Sequence, residues 1–288
     1  ICNGHGEDLI SLRILEALHH LSPKIIIEVL PLVGEGKVFE SGIASGWIKR
    51  VGPKNNLPSG GFSNQSFSGL IADIKSGLIS KTLMQFRIIF ALSRNQKTIV
   101  AVGDLLPLFM AWISRCNFCF IGTPKSDYSW RSGPSKSLSD HYHRLKGSEW
   151  DPWEYALMRS RLCKFVATRD ELTARGLRKH GVKALAPGNP MMDGLGESPH
   201  PSALNNYRRV LLLCGTRVPE ALENFNNLIK ATELIDLREP IAFLVALGSD
   251  PKTTQIESSL LKLGYKKNLS IEVEAHAQSI WSKESKII

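Results

Sequence analysis

Asn3-Gly4-His5-Gly6-Glu7-Asp8 packs a carboxamide, an imidazole and two carboxylates into six residues, with glycines between them. Asn3, Gly4, Gly6, Glu7 and Asp8 are read as candidate ligand contacts. Glycine lets a ligand approach the backbone, and a helix start offers free N–H groups to an anion or a sugar hydroxyl. His5 has the side chain suited to relaying a proton near neutral pH. Acids at a helix start disfavour a fixed phosphate and favour a hydroxyl-rich ligand. The same spacing describes a plain tight turn with a capping acid, and spacing alone leaves both readings open. Asp104 follows the apolar run Val100-Ala101-Val102-Gly103, at the strand end where open α/β sheets place their ligands. Partial burial there raises a carboxyl pKa and suits Asp104 to general-base work. It equally fits the N-cap of a helix opening at Leu105-Leu106-Pro107, and one residue can do both.

Two further loops follow apolar strands. Gly122-Thr123-Pro124-Lys125-Ser126-Asp127-Tyr128 offers Lys125 and Ser126 either to the same cleft or to solvent. Leu211-Leu212-Leu213-Cys214-Gly215-Thr216-Arg217 ends a strand in a glycine turn, a hydroxyl and an arginine. Arginine there can pair bidentately with a phosphate, which makes Gly215, Thr216 and Arg217 a candidate phosphate site. Cys116 and Cys119 have zinc spacing, but no second ligand pair at matching spacing follows, and their apolar context reads as buried thiols. His141 and His143 form only a weak metal hint in a Ser-rich loop. No metal is expected. No Gly-x-Ser-x-Gly elbow, Walker loop or His-Glu-x-x-His helix occurs.

These residues need elements to hold them. Ile10, Ile14, Leu18 and Leu21 mark one face of a helix with Glu7 and Asp8 in its first turn. Strands are expected at 25–30, 47–51, 98–102, 118–121, 164–167 and 182–186. Helices are expected within 70–93, from Leu106, around 155–161 and over 171–180, with an irregular stretch before Trp150. Past a Pro-, Ser-, Gly- and Asn-rich stretch the pattern restarts with strand 209–213, helix 219–235, strand 241–247, helix 254–263 and a last strand starting at Lys286. Alternating strands and helices argue for parallel, doubly wound sheets. The expected domains are 1–196, a linker 197–206, and 207–288 as the first half of a second α/β domain. Ile1 stands almost at the turn, so most of a first strand is expected upstream.

The chain has 288 residues, 36 Lys+Arg against 27 Asp+Glu, and 43% hydrophobic residues. That apolar fraction fills a core and excludes disordered or collagen-like classes. Five cysteines are too few for a disulfide framework at this length and fit a reducing, cytoplasmic setting. The net charge of +9 favours anionic partners. No nucleic-acid module is visible, so nucleic acid is not an expected partner. The longest apolar run, 98–113, contains Asp104 and Pro107 and reads as a strand plus a buried helix, not a membrane span.

Taken in order, several segments resemble the lipid-A-disaccharide synthase-related proteins. They are Asn3 to Asp8, Leu57-Pro58-Ser59-Gly60-Gly61-Phe62, Val102-Gly103-Asp104, Gly122 to Ser126, Arg169-Asp170-Glu171-Leu172-Thr173-Ala174-Arg175 and Gly188-Asn189-Pro190-Met191-Met192-Asp193-Gly194-Leu195. Leu213-Cys214-Gly215-Thr216-Arg217 is similar to the family's Leu-Pro-Gly-Ser-Arg turn, with Cys for Pro and Thr for Ser.

The resemblance implies a GT-B glycosyltransferase of two Rossmann-like domains, the second truncated here. The first takes the acceptor and the second a UDP-sugar, without a cofactor or an essential metal. It further implies Asp104 as base, with His5 as alternative, Asn189 among the substrate contacts, and Arg217 near the donor phosphates. A later Gly-Thr-Ala-Thr-like donor loop is expected beyond Ile288. The implied acceptor is lipid-linked or a glycolipid, reached from the inner face of a membrane whose anionic surface the helix around Lys81 and Arg87 would touch. Two other readings compete: a non-catalytic, truncated binding protein, and a UDP-sugar epimerase of the same fold.

Overall fold

A computed structural model describes residues 1–53, 78–93, 97–130, 137–193, 195, 204, 206–215, 218–235, 240–248, 250–268, 279–283 and 286–288. Contacts divide the chain into two compact units, Ile1–Gly194 and Leu195–Ile288.

The first unit is built of helices α1 (His5–Leu21), α2 (Glu40–Ala44), α3 (Leu78–Ser93), α4 (Leu105–Ile113), α5 (Leu138–Lys146), α6 (Pro152–Met158) and α7 (Glu171–Lys179). Its strands are β1 (Ile27–Val29), β2 (Ile48–Arg50), β3 (Ile99–Gly103), β4 (Phe118–Gly122), β5 (Cys163–Thr168) and β6 (Ala184–Leu185). β1 pairs with β2, and β3 to β6 pair in sequence order, all parallel. Cys2 bridges the two sets, lying parallel to Pro31 on one side and Val102 on the other. With residues 1–3 counted as the first strand, the spatial order is 3-2-1-4-5-6-7, a doubly wound sheet.

Side chains alternate across it as strand geometry requires. Cys2, Ile27, Val29 and Val102 pack with Ile10 of α1 and Phe39 on one face. Ile99, Ala101, Phe118, Phe120 and Val166 pack with Leu108, Trp150, Tyr155 and Leu177 on the other. Strands buried on both faces explain the near-continuous apolar runs in the sequence.

Side-chain caps open three helices of the first unit among the described residues. Asp104 accepts from Leu106 N at 3.0 Å, and Asp170 accepts from Thr173 N at 2.8 Å. The irregular stretch expected before Trp150 instead contains α5, capped by Ser137, which accepts from Asp140 N at 3.1 Å. His141 and His143 therefore sit on a helix and not in a loop. That helix buries none of its residues, so apolar periodicity could not reveal it.

The second unit holds β7 (Arg208–Leu212), α8 (Glu220–Glu233), β8 (Ile241–Val245), α9 (Thr253–Lys262), β9 (Lys266–Lys267), β10 (Trp281–Lys283) and β11 (Lys286–Ile287). Strand order is β7-β8-β11-β10-β9. β7, β8 and β11 are parallel, whereas β10 runs antiparallel to both neighbours. This sheet is therefore mixed, which alternation of strands and helices did not foresee: β9 and β10 are two and three residues long, too short for a periodic signal. Phe225, Ile229, Phe243, Leu260 and Trp281 form its core.

All five cysteines are free and buried. Burial pushes the Cys163 thiol up to about 12 and raises Cys119 beside it in the sheet, so both stay neutral structural groups. No helix among the described residues is long and apolar enough to cross a membrane.

Gly122 shows how tightly this core closes. A Cβ there would lie 2.6 and 2.8 Å from two ring carbons of Trp150, which is fully buried and edge-on to Phe120 at 5.9 Å. Gly122→Ala must displace a rigid ring, and its expected cost is about 1–3 kcal/mol. Urea unfolding measures it, and a wild-type midpoint would contradict this packing.

Candidate functional site

Where the order of the first sheet reverses, residues 1–3 and β3 lie side by side, and the chain leaves them toward opposite faces through α1 and α4. Such switch points open a crevice at the carboxyl ends of the strands. The residues delivered there are Asn3-Gly4 from one strand and Gly103-Asp104 from the next. Asn3 Nδ2 donates to Asp104 Oδ1 at 2.9 Å, linking residues 101 apart in sequence. The same Oδ1 caps α4, which is the N-cap role anticipated for Asp104.

Gly4 and Gly103 adopt φ of 113° and 132°, values that side-chain-bearing residues rarely take. A Cβ on Gly103 would lie 3.3 Å from Glu7 Cγ and 3.4 Å from Asn3 Cβ. Glu7 thus closes over the same corner. Its carboxyl is pushed above the usual glutamate range, first by burial and further by the charge of Asp104. The perturbed acid at this site is one that sequence reasoning treated only as a ligand contact.

Two polar atoms here lack partners. Asn3 must turn its amide nitrogen to the Asp104 carboxylate, which leaves Oδ1 facing away. That oxygen and Thr123 Oγ1 are shielded from solvent, with no hydrogen-bond partner among the described residues. Thr123 follows Gly122 as Asp104 follows Gly103, and Gly103 pairs with Gly122. A buried acceptor thus adjoins a fixed carboxylate, and the neighbouring strand β4 is followed by a buried hydroxyl, groups that a polyhydroxylated ligand could satisfy. A Cβ on Gly6 would meet nothing within 4 Å among the described residues.

Other candidates are engaged elsewhere. Asp8 is 1% exposed and lies against the Cys2 thiol. Lys125 pairs with Glu154 at 2.5 Å and Asp151 at 3.5 Å, and lies over the Trp150 ring. Ser126 donates to Asp170 Oδ2 at 2.8 Å and is itself buried. Asn189 caps the short turn Pro190–Met192, accepting from Met191 N at 3.2 Å, and that turn packs against α1. His5 opens α1, but its side chain lies outside the described part. Thr216, Arg217 and the 57–62 segment also lie outside the described residues, whereas Gly215 is described, with φ 90°. Among the described residues no cluster of ligands suited to a metal occurs.

The sequence reading missed the acidic pair that takes up Lys125. Glu154 is fully buried, and its Oε2 accepts from Asp151 N at 2.8 Å. The acid three residues after Asp151, at a helix start, was the available signal. Asp151 is held below the usual aspartate range: burial alone would raise it, but hydrogen bonds from Tyr142 and Lys146 and the charges of Lys125 and Lys146 outweigh that.

No protein-family model matches the chain, and no curated protein matches it significantly.

The two shifts have opposite consequences. A raised folded-state pKa means that ionised Glu7 costs stability at neutral pH, a cost absent below its unfolded value near about 4.3. Glu7→Gln should therefore stabilise the protein at pH 7 and leave it unchanged near pH 4. The depressed Asp151 contributes stability above its unfolded value of about 3.9, lost as pH falls through the lower folded value. Asp151→Asn should destabilise at pH 7 and progressively less toward acid. Urea midpoints across this range check both, and a loss of stability at pH 7 on Glu7→Gln would contradict the burial of its charge.

Proposed function

We propose that this chain belongs to a GT-B-type glycosyltransferase moving a hexosamine-type sugar from a UDP-sugar to a lipid-linked or glycolipid acceptor. The observation that carries the reading is the Asn3–Asp104 hydrogen bond at the switch point of a parallel sheet, with a buried carboxamide oxygen left for a ligand. In this reading the acceptor hydroxyl lies against Asp104. Its oxygen attacks the anomeric carbon and its proton passes to the carboxylate. The bond from that carbon to the diphosphate oxygen breaks, and UDP departs with the electron pair. Asp104 serves as base because its other contacts, the Leu106 N–H and the Asn3 amide, fix its orientation before the substrate arrives. Glu7, with its raised pKa, is the second carboxyl able to hold that proton.

Gly215 with Thr216 and Arg217 would meet the diphosphate, the arginine offsetting charge on the leaving group. The exposed side chains Leu83, Met84, Arg87 and Phe90 on α3 give a face suited to an anionic membrane surface, where such acceptors reside, at the inner, cytoplasmic side.

Asp104→Asn tests the base. Asparagine keeps an N-cap acceptor, so the fold should survive while acceptor-dependent UDP release by the full-length protein falls about 100-fold or more. Undiminished release would remove Asp104 from the chemistry. Loss in Glu7→Gln alone would move the base there, conversion of the UDP-sugar without acceptor would favour the epimerase, and donor binding without turnover the non-catalytic reading.

A further inference from the structure

The first sheet holds a gap one strand wide. Residues 1–2 pair on both sides: Leu32 N donates to Cys2 O at 2.8 Å, and Val102 N donates to Ile1 O at 2.8 Å. The walls run on past Ile1 toward their own N-terminal ends, through Val29, Glu28 and Ile27 on β1 and through Val100, Ile99 and Thr98 on β3. Between them lies a cavity of about 670 Å³, lined by those residues together with Ile14, Leu15 and Leu18 of α1. Lys97 and Glu28 form an ion pair from one wall to the other.

Strand alternation fixes which peptide groups face the gap. Leu30 and Leu32 bond to Cys2, and Val100 and Val102 bond to the Ile1 peptide, so Glu28 and Thr98 face it as well. Among the described residues, the N–H groups of Leu30 and Val100 and the C=O groups of Glu28 and Thr98 make no backbone hydrogen bond there. Apolar walls with unpaired peptide groups at strand spacing match neither a polar ligand nor a hydrocarbon chain, which cannot hydrogen-bond.

We propose that this slot receives an extended apolar segment of the longer chain, continuous with Ile1 and parallel to β1 and β3. Its register follows from the pairs already made. The residue before Ile1 donates to Glu28 O and accepts from Leu30 N. The one before that donates to Thr98 O and accepts from Val100 N. The first projects, like Cys2, toward Ile14 and Leu18 of α1, and the second, like Ile1, toward the opposite core. Both faces are buried, so the occupant is a continuous apolar run of about four residues, each advancing roughly 3.3 Å. The filled strand leads straight into Asn3 and so anchors the carboxamide that holds Asp104.

The chain beginning at Ile1 should be compared with the same chain preceded by Val-Ile-Val-Val and by Val-Pro-Val-Pro, which is equally apolar but lacks donors at alternate positions. The first extension should raise the thermal midpoint on the order of 10 °C. It should also slow amide exchange at Leu30 and Val100 about 100-fold, and the proline version should do neither. If the bare chain folds poorly, the yield of folded protein serves as the same comparison. Equal behaviour of all three chains, or an equal gain from the proline version, overturns the proposal. So does a fluorescent fatty acid that still binds stoichiometrically when the apolar extension is present, since that would give the slot to a lipid chain. None of these readouts depends on glycosyl transfer.

Discussion

The peptide groups of Ile1 and Cys2 hold the first unit together. They hydrogen-bond to Leu30 and Leu32 on one side and to Val100 and Val102 on the other, joining the β1–β2 pair to the four strands from β3 to β6. That seam makes two half-sheets into one and fixes where the winding direction reverses. It also brings Asn3 against Asp104. The crevice, the capped helix α4 and the carboxylate pair of Glu7 and Asp104 all descend from it. Parallel pairing between strands a hundred residues apart carries a large loop-closure cost, so the apolar surfaces on both faces must supply the compensation.

Charge is distributed in the same economical way. Lys125 and Ser126, polar residues at a strand's carboxyl end, have the composition of ligand contacts. The fold assigns them instead to Glu154, Asp151 and Asp170, because a fully buried carboxylate requires a cation nearby. At the switch point Asn3 Oδ1 and Thr123 Oγ1 lack hydrogen-bond partners among the described residues, as do Glu154 Oε1 and Trp150 Nε1 elsewhere, and burial raises the Glu7 carboxyl. A carboxyl perturbed by burial and a neighbouring charge, as Glu7 is beside Asp104, marks a candidate site more sharply than residue type alone.

Much of the fold was legible in the residues. Apolar runs such as Val100-Ala101-Val102 and Phe118-Cys119-Phe120 marked strands buried on both faces. Asp104 sits at a helix start, and the spacing of Ile10, Ile14 and Leu18 set the α1 face. These signals are local, governed by periodicities of 2 and 3.6 and by capping chemistry, and a linear sequence displays them directly. Helix α5 escaped because it buries nothing, and the antiparallel β10 because it spans three residues.

By itself the sequence determined an α/β chain with glycine-flanked polar turns after its strands, since alternation, caps and turns depend on neighbours along the chain. Only tertiary structure decided which turns meet. Asn3 finds Asp104, Thr123 finds no partner among the described residues, Lys125 is neutralised and Asp8 is buried, because pairing order and burial depend on residues far apart in sequence whose contacts no local pattern encodes.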